Sequence, residues 1–421
     1  MKIIQTFWTA GQDPLKHCFG WAHPEYNLMS WALSCLSLRE HYDEVELYTD
    51  SAGYHILVEV LQLPYTKTHV IFDDFQCLPH HWALSKIKTY SLQTEPFLHI
   101  DGDIYLPRPL PERLLTAPLV AQNREIGTSY YRRMMDAFLK HQNISISESL
   151  RQRWEELSIS SYNMGVFGGK DLDFIRRYCI EVEDFIGQNH LNDANDCRSC
   201  ANANVIFEQM LFAALAEKEE RTIQPILEET IEDTGYTASK FCDIKSWQEK
   251  SLFHIVGGNK RVHDTFIAIE QKLFSSHFEY FRRIALLFPE KHPYVGTTLE
   301  KAFVEQTQKM LAVESFMRQS LDDVSHQKYT RNAMLRILPN TQEGNTRTAY
   351  LPSIFSCGGK RFTVGPLGMN ILHLLDGIES TKGSLCHSLY PYFTPNIRNM
   401  AEVWIEKEMH YLLHHGAIII F

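Results

Sequence analysis

Two aspartates stand two residues apart at the point where an apolar run ends. Residues 97–100 are apolar apart from one histidine, and Asp101 and Asp103 follow directly. Residues i and i+2 of a strand point to the same side, so both carboxylates can converge on one ligand. Their mutual repulsion is offset by a divalent cation, and oxygen ligands suit Mg²⁺ or Mn²⁺. Asp-Gly-Asp is also favourable in turns, so a solvated turn is the alternative.

Two further polar groups interrupt apolar stretches. Asn163 precedes Gly165 in the run 162–169, and its amide can hydrogen-bond to a hydroxyl-rich ligand. A hydrogen-bonded core asparagine is the alternative. Glu208 and Gln209 interrupt an otherwise apolar helical segment, and a solvated helix face is the alternative there.

A histidine, a glycine and a lysine follow the short apolar run 252–256 at three-residue spacing. They are His254, Gly257 and Lys260. An imidazole can bind a metal, a glycine permits close approach of the backbone, and an ammonium group can meet a phosphate. A lone histidine is more often structural.

The elements around the aspartates predict an α/β fold. Apolar runs alternate with helical periodicity, with strands at 2–8, 44–49, 68–72 and 97–100 and helices at 27–41, 54–61 and 82–93. Such alternation implies a mostly parallel sheet, which binds ligands at the carboxyl ends of its strands. Asp101 and Asp103 stand at such an end. Thr6, Trp8 and Asp50 end the first two strands, or follow directly, and are placed to meet a nucleoside.

The remaining pattern predicts three regions. A first domain spans 1–290, with later strands at 162–169 and 252–256 and helical periodicity at 171–186, 204–217 and 262–288. A helical linker follows at 291–328, and its last residues, 322–328, are polar. Residues 329–421 predict three strands (331–338, 348–355, 360–364) and then three helices (367–375, 383–393, 397–415). This order is typical of a small winged-helix-like α+β domain.

Composition excludes several classes of protein. The 421 residues are 44% hydrophobic and carry a formal net charge of -10, which disfavours nucleic-acid binding because phosphate neutralisation needs clustered basic residues. No targeting or membrane-spanning segment is recognisable, so a cytoplasmic protein is expected. Nine scattered cysteines fit reduced thiols. Cys197-x-x-Cys200 has no partner pair at zinc spacing and is interpreted as part of a polar loop.

The four motifs, in this order, resemble those of GT-A glycosyltransferases, specifically the retaining family 8 group. The resemblance covers roughly residues 1–270 and implies a Rossmann-like GT-A domain that binds a nucleotide-sugar, with UDP expected. By resemblance, Mn²⁺ or Mg²⁺ is held by Asp101, Asp103 and His254 and bridges the two phosphates. The chain departs from the family at Glu208-Gln209-Met210, where Asp-Gln-Asp is usual, and at Arg261-Val262, where Pro-Trp often follows the lysine.

The resemblance also implies roles for the other motif residues. Lys260 would reach the diphosphate and Gly257 would let the backbone approach it, while Lys86 matches a basic residue that faces the donor. Asn163 and Gln209 would contact the transferred sugar or line the reaction face. Retention needs no strong protein base, because the leaving phosphate can accept the acceptor's proton. Glu208 is the candidate base if the reaction inverts instead.

The C-terminal region resembles the PqqD-like recognition elements of peptide-modifying enzymes, especially at 371–377. Such domains bind a leader peptide as an added strand, so the resemblance implies a glycosyltransferase that acts on a ribosomally made precursor peptide held by 329–421. The alternative for the domain is a winged helix that supports the fold or dimerisation. Two functional alternatives are a carbohydrate- or lipid-directed transferase with an accessory domain and an inactive peptide-binding adaptor.

Overall fold

The structure, a computed structural model, describes residues 1–127, 129–140, 144–192, 203–232, 235–319, 327–338 and 345–420. They form two compact units, Met1–Leu273 and Phe274–Phe421. The predicted loop at Cys197-x-x-Cys200 and most of the predicted polar segment 322–328 lie outside the described residues. Across the described ranges, no helix combines the length and apolar character needed to cross a membrane.

The first unit is a mixed α/β fold. Its strands are β1 (Lys2–Phe7), β2 (Val45–Thr49), β3 (Lys67–Val70), β4 (Phe97–Ile100), β5 (Ile104–Tyr105), β6 (Leu119–Gly127), β7 (Ile159–Gly169), β8 (Ile223–Glu232) and β9 (Phe253–His254). Its helices are α1 (Pro24–Arg39), α2 (Ser51–Tyr54), α3 (Ala83–Ser91), α4 (Glu112–Leu115), α5 (Ser129–Leu139), α6 (Glu148–Glu155), α7 (Leu172–Gln188), α8 (Leu211–Lys218), α9 (Ala238–Phe241) and α10 (His263–Ser276). Its described residues also include two π-helical segments (His55–Val60, Val205–Met210) and three 3₁₀ segments (Pro79–His81, Ile244–Ser246, Gly257–Arg261).

Seven strands form the central sheet in the order β3-β2-β1-β4-β7-β6-β8. The pairs β1–β2, β1–β4, β2–β3 and β6–β8 are parallel, and the pairs β4–β7 and β6–β7 are antiparallel. The predicted parallel-rich α/β sheet is therefore confirmed. Because β1 and β4 are parallel neighbours, the residues after their carboxyl ends share one edge of the sheet.

Both faces of the sheet are covered by apolar side chains. Alternate residues of β4 enter different buried clusters: Phe97 packs with Tyr90 and Phe167, whereas Leu98 and Ile100 belong to the other cluster. Such alternation is expected of a strand that is covered on both faces. The apolar run before the aspartates is therefore a rigid central strand, and it fixes the position of the turn that follows.

The structure differs from the sequence prediction at several places in this region. The helix predicted from residue 54 begins earlier: residues 51–54 form α2, because the Asp50 side chain accepts a hydrogen bond from Gly53 N at 2.8 Å and caps the helix. The periodicity over 262–288 covers two helices that are interrupted at His277. Strands β6 and β8 were not predicted. The polar run 122–125 obscures β6, although Gln122 and Asn123 are fully buried.

The second unit contains the helices α11 (Phe278–Leu287), α12 (Glu300–Gln319), α13 (Pro366–Leu374), α14 (Lys382–Leu389) and α15 (Arg398–His414). Its strands are β10 (Lys328–Arg331), β11 (Arg336–Ile337), β12 (Arg347–Leu351), β13 (Lys360–Val364), β14 (Ser380–Thr381) and β15 (Ile418–Ile420). They form two antiparallel sheets, β14-β10-β15 and β11-β12-β13. The predicted strand 331–338 is therefore two strands in different sheets, separated by a turn in which Leu335 N donates to Asn332 O at 3.0 Å.

Candidate metal and donor site

Two carboxylates and one imidazole meet beside the carboxyl end of β4. Asp101 and Asp103 lie in the turn between β4 and β5, and Ile104 in β5 pairs with His254 in β9. Ligand atoms of Asp101, Asp103 and His254 all lie within 4.8 Å of one another. The antiparallel β5–β9 pair thus brings the imidazole to the aspartates, as the motif interpretation requires.

The donor set fits a hard divalent cation. Asp101 and Asp103 keep 21% and 13% of their side chains exposed, so solvent reaches the carboxylates. His254 Nε2 lies 3.6 Å from Asp103 Oδ1, whereas its buried Nδ1 has no hydrogen-bond partner among the described residues. Carboxylate oxygens with one imidazole nitrogen suit Mn²⁺ and are compatible with Mg²⁺.

Two lysines flank the aspartates. Lys86, which is nearly fully buried, lies 3.0 Å from Asp101 Oδ1 and 2.5 Å from Glu208 Oε1. Lys260 Nζ lies 2.7 Å from Asp103 Oδ2 and 5.8 Å from the centre of the Trp21 ring. The ammonium group of Lys86 is therefore buried and fixed by two carboxylates, whereas that of Lys260 is partly exposed and lies on a short 3₁₀ segment.

Burial and neighbouring charges set the ionisation of the three candidate ligands. Burial raises the pKa of Asp101 to about 7; the charges of Asp103 and Glu208 also raise it, and the charge of Lys86 opposes the shift. The pKa of Asp103 is lowered although burial alone would raise it, because Lys260 and His254 favour the ionised form. Burial lowers the pKa of His254 to about 4, so at neutral pH its imidazole is uncharged and able to act as a ligand.

A cleft of about 570 Å³, which we call the first cleft, opens above this group. Its wall contains Thr6, Trp8, Lys86, Asp101, Gly102, Asp103 and Lys260, together with further residues of 7–31 and 79–85. Aromatic side chains supply much of the wall, and half-exposed Trp82 has its ring centre 5.5 Å from Lys86 Nζ. The first cleft therefore joins an aromatic surface, suited to a base, to a charged end, suited to phosphate.

Not every predicted nucleoside contact lines the first cleft. Thr6 and Trp8 do, and Thr6 is held by hydrogen bonds with Thr89 at 2.9 Å and His99 at 3.1 Å. Asp50 is not among the residues of the cleft wall. Its carboxylate accepts hydrogen bonds from the backbone and side chain of Thr9 and from Gly53, so it supports the wall from behind.

A second cleft, of about 470 Å³, lies on the other side of the 257–260 segment. It is lined by Glu125, Ile126, Tyr130, Tyr131, Asn163, Gln209, Ile231, Glu232, Tyr236 and 256–259. Asn163 and Gln209, predicted at the reaction face, therefore share one cavity, and Gly257 contributes to it with a φ of +53°. Glu208 points elsewhere: it is buried against Lys86 and lines neither cleft.

The sequence model of a family of unknown function, DUF6734, matches residues 1–287. The chain belongs to the DUF6734 family. No curated protein matches the sequence at a significant level. The DUF6734 match includes both clefts and the Asp101, Asp103 and His254 group.

Sequence reasoning missed several residues of the DUF6734 region that line the clefts. In the first cleft they include Trp82 and Phe19, and in the second Glu125, Tyr131 and Tyr236. The sequence signal for Trp82 is its position as the first residue of the predicted helix 82–93, beside the carboxyl ends of the predicted strands. Glu125 had a weaker signal, since its strand was not recognised and its importance depends on tyrosines that are distant in sequence.

Gly165 provides a test of how tightly the candidate metal group is packed. A Cβ at this position would lie 2.7 Å from His254 Cε1 and from Gln122 Oε1, and 2.8 Å from Ile104 Cδ1. We expect Gly165→Ala to displace the imidazole and weaken Mn²⁺ binding by about 10-fold, measured by calorimetry. Gly258→Ala is the matched control, because a Cβ there meets nothing within 4 Å. Equal Mn²⁺ affinity in both variants would contradict the proposed packing.

Proposed function

We propose that the protein is a metal-dependent glycosyltransferase of GT-A type that uses a nucleotide-sugar, with UDP as the expected nucleotide. The observation that carries the proposal is the group of Asp101, Asp103 and His254 at the charged end of a cleft with aromatic walls. Its position beside the carboxyl ends of β1 and β4 is where ligands of parallel sheets bind. The resemblance to retaining family 8 rests on these same residues.

The side chains around the group suit departure of a diphosphate. A bound divalent cation would supply charge neutralisation as negative charge develops on the leaving group. Lys260, on its short 3₁₀ segment, would bind a diphosphate oxygen. Lys86 holds Asp101 in place through an ion pair. Its positive charge also offsets the repulsion between the carboxylates of Asp101 and Glu208. With retention, the leaving phosphate would accept the proton of the acceptor.

The second unit supports a peptide as the acceptor. Strands β11, β12 and β13 form a small antiparallel sheet, and β13 is at its edge among the described strands. The Thr363 carbonyl accepts a hydrogen bond from the Tyr411 hydroxyl of α15 at 2.8 Å. An exposed strand edge beside a helix is the geometry that strand addition by a leader peptide requires. A peptide held there would have a raised effective concentration at the sugar-transfer site.

Calorimetric titration with Mn²⁺ and UDP tests the enzymatic proposal. We expect Mn²⁺ and UDP to enhance each other's binding, and slow metal-dependent hydrolysis of at least one UDP-sugar. Failure of every nucleotide-sugar to bind in the presence of Mn²⁺ or Mg²⁺ would reject the transferase and favour an inactive peptide-binding adaptor.

A proline in β13 tests the peptide proposal. Along a strand, the N–H and C=O groups of every second residue point to the same side. Thr363 O contacts Tyr411 and so points away from β12, and the N–H and C=O of Arg361 therefore point away from β12 too. We expect Arg361→Pro to weaken binding of a precursor peptide by about 10-fold or more, because an edge N–H is lost, with UDP-sugar hydrolysis unchanged. Arg361→Ala keeps the N–H and serves as the control. If both variants bound the peptide equally, strand addition at this edge would be wrong.

A further inference from the structure

The two clefts of the first unit differ in charge. The wall of the first cleft includes Lys86 and Lys260 beside the two aspartates, which suits phosphate and a cation. The second cleft has the carboxylates of Glu125 and Glu232 in its wall, and none of its described lining residues is lysine or arginine. A ligand of the second cleft therefore meets a negative potential, which attracts hydrogen-bond donors and cations and repels anions.

Glu125 is held firmly in this wall. The hydroxyl groups of Tyr131 and Tyr236 donate to its two carboxylate oxygens, and Asn163 Nδ2 donates to Oε1 at 3.1 Å. Burial and the charge of Glu125 raise the pKa of both phenols, so the tyrosines remain protonated donors. These three donors are neutral groups, so their hydrogen bonds favour the ionised carboxylate without adding positive charge to the wall.

The second cleft begins next to the candidate metal group. Asn163 precedes by two residues Gly165, which is packed against the His254 ring. Gly257 lines the second cleft and Lys260, three residues later, lines the first. A group bound in the second cleft would therefore lie beside the charged end of the first cleft, where the proposed sugar transfer takes place.

We propose that the second cleft binds the acceptor and that Glu125 restricts it to groups that are uncharged or positively charged, such as sugar or side-chain hydroxyls and amines. Carboxylates and phosphates are excluded because they would approach a fixed negative charge in a site of reduced dielectric constant. The term acceptor rests on the proposed function, whereas the charge preference of the cleft does not.

Three pyranose probes of similar size test this preference: glucosamine, methyl glucoside and glucuronate, which are cationic, neutral and anionic at neutral pH. Their dissociation constants for the full chain are measured by ligand-observed NMR, with and without Mn²⁺ and UDP. We expect the cationic and neutral probes to bind about 10-fold more tightly than glucuronate. In Glu125→Gln, the difference should fall below about twofold.

The control variant is Glu228→Gln, which removes an exposed carboxylate of β8 outside the cleft and should retain the preference. Relaxation of probe protons by Mn²⁺ reports whether the probe lies beside the metal group. In the unmodified protein, glucuronate binding as tight as that of methyl glucoside would overturn the inference. Failure of all three probes to show saturable binding would overturn it as well. A preference that survives in Glu125→Gln overturns it too. Absence of Mn²⁺ and UDP binding with the charge preference intact would reject only the proposed function.

Discussion

Replacing Asp103 with alanine is expected to abolish both cation binding and donor hydrolysis. Asp103 offers a carboxylate to the candidate metal group and also pairs with Lys260, so its loss removes a ligand and releases the lysine that would meet the diphosphate. We expect Mn²⁺ affinity, measured by electron paramagnetic resonance, to fall by at least about 100-fold. Hydrolysis of UDP-sugars should fall to background, because the charge on the departing diphosphate is no longer neutralised.

Asp264→Ala is the control for this experiment, since Asp264 is in the same unit, is 98% exposed and lines neither cleft. Its Mn²⁺ affinity and hydrolysis rate should match those of the unmodified protein. Retention of metal-dependent hydrolysis in Asp103→Ala would show that the cation binds elsewhere, and the assignment of the donor site would then be wrong.

Replacing Glu208 with alanine is expected to destabilise the first unit more than it alters a proton-transfer step. Glu208 and Lys86 are an ion pair in which both side chains are almost fully buried. Removing Glu208 should cost about 2–3 kcal/mol, because buried Lys86 loses one of its two carboxylate partners and keeps only Asp101. Unfolding by urea, followed through tryptophan fluorescence, should therefore show a loss of free energy of this size.

Two control variants help to separate a structural from a catalytic role for Glu208. Glu249→Ala removes an exposed carboxylate and should leave the free energy of unfolding within ~0.5 kcal/mol of that of the unmodified protein. Glu208→Gln keeps the shape of the side chain and should destabilise less than Glu208→Ala. If Glu208→Ala remained fully stable yet lost transfer activity, Glu208 would act as a base and the buried ion pair would not be its main role.

The local sequence was sufficient to predict the helix and the strand that directly precede the candidate metal group. The apolar run 97–100 and the helical periodicity of 82–93 predict β4 and α3 within a few residues, because burial on both faces requires continuous apolar sequence. Strand β6 lacked that signal. Its residues Gln122 and Asn123 are buried and hydrogen-bonded to each other, and Asn123 and Glu125 also bond to Tyr236, a partner that only the folded chain brings close.

Neighbours in sequence can also face different surroundings, which local patterns do not reveal. Glu208 and Gln209 are adjacent, yet Glu208 pairs with buried Lys86, while Gln209 lines the second cleft with its Oε1 2.8 Å from the Tyr131 hydroxyl oxygen. Both lie in the π-helical segment Val205–Met210, where the usual helical spacing does not hold. The motif identified both positions, and only the packing separated their roles.

The sequence by itself determined the candidate metal-binding carboxylates and the parallel-rich α/β framework, because carboxylate spacing and apolar periodicity are properties of local chain geometry. Tertiary structure decided how His254, which the resemblance grouped with Asp101 and Asp103, reaches them, since the β5–β9 pairing brings together residues far apart in the chain. It also decided the negative charge of the second cleft. Glu125 comes from a strand that local periodicity does not predict, and its tyrosine partners come from other elements.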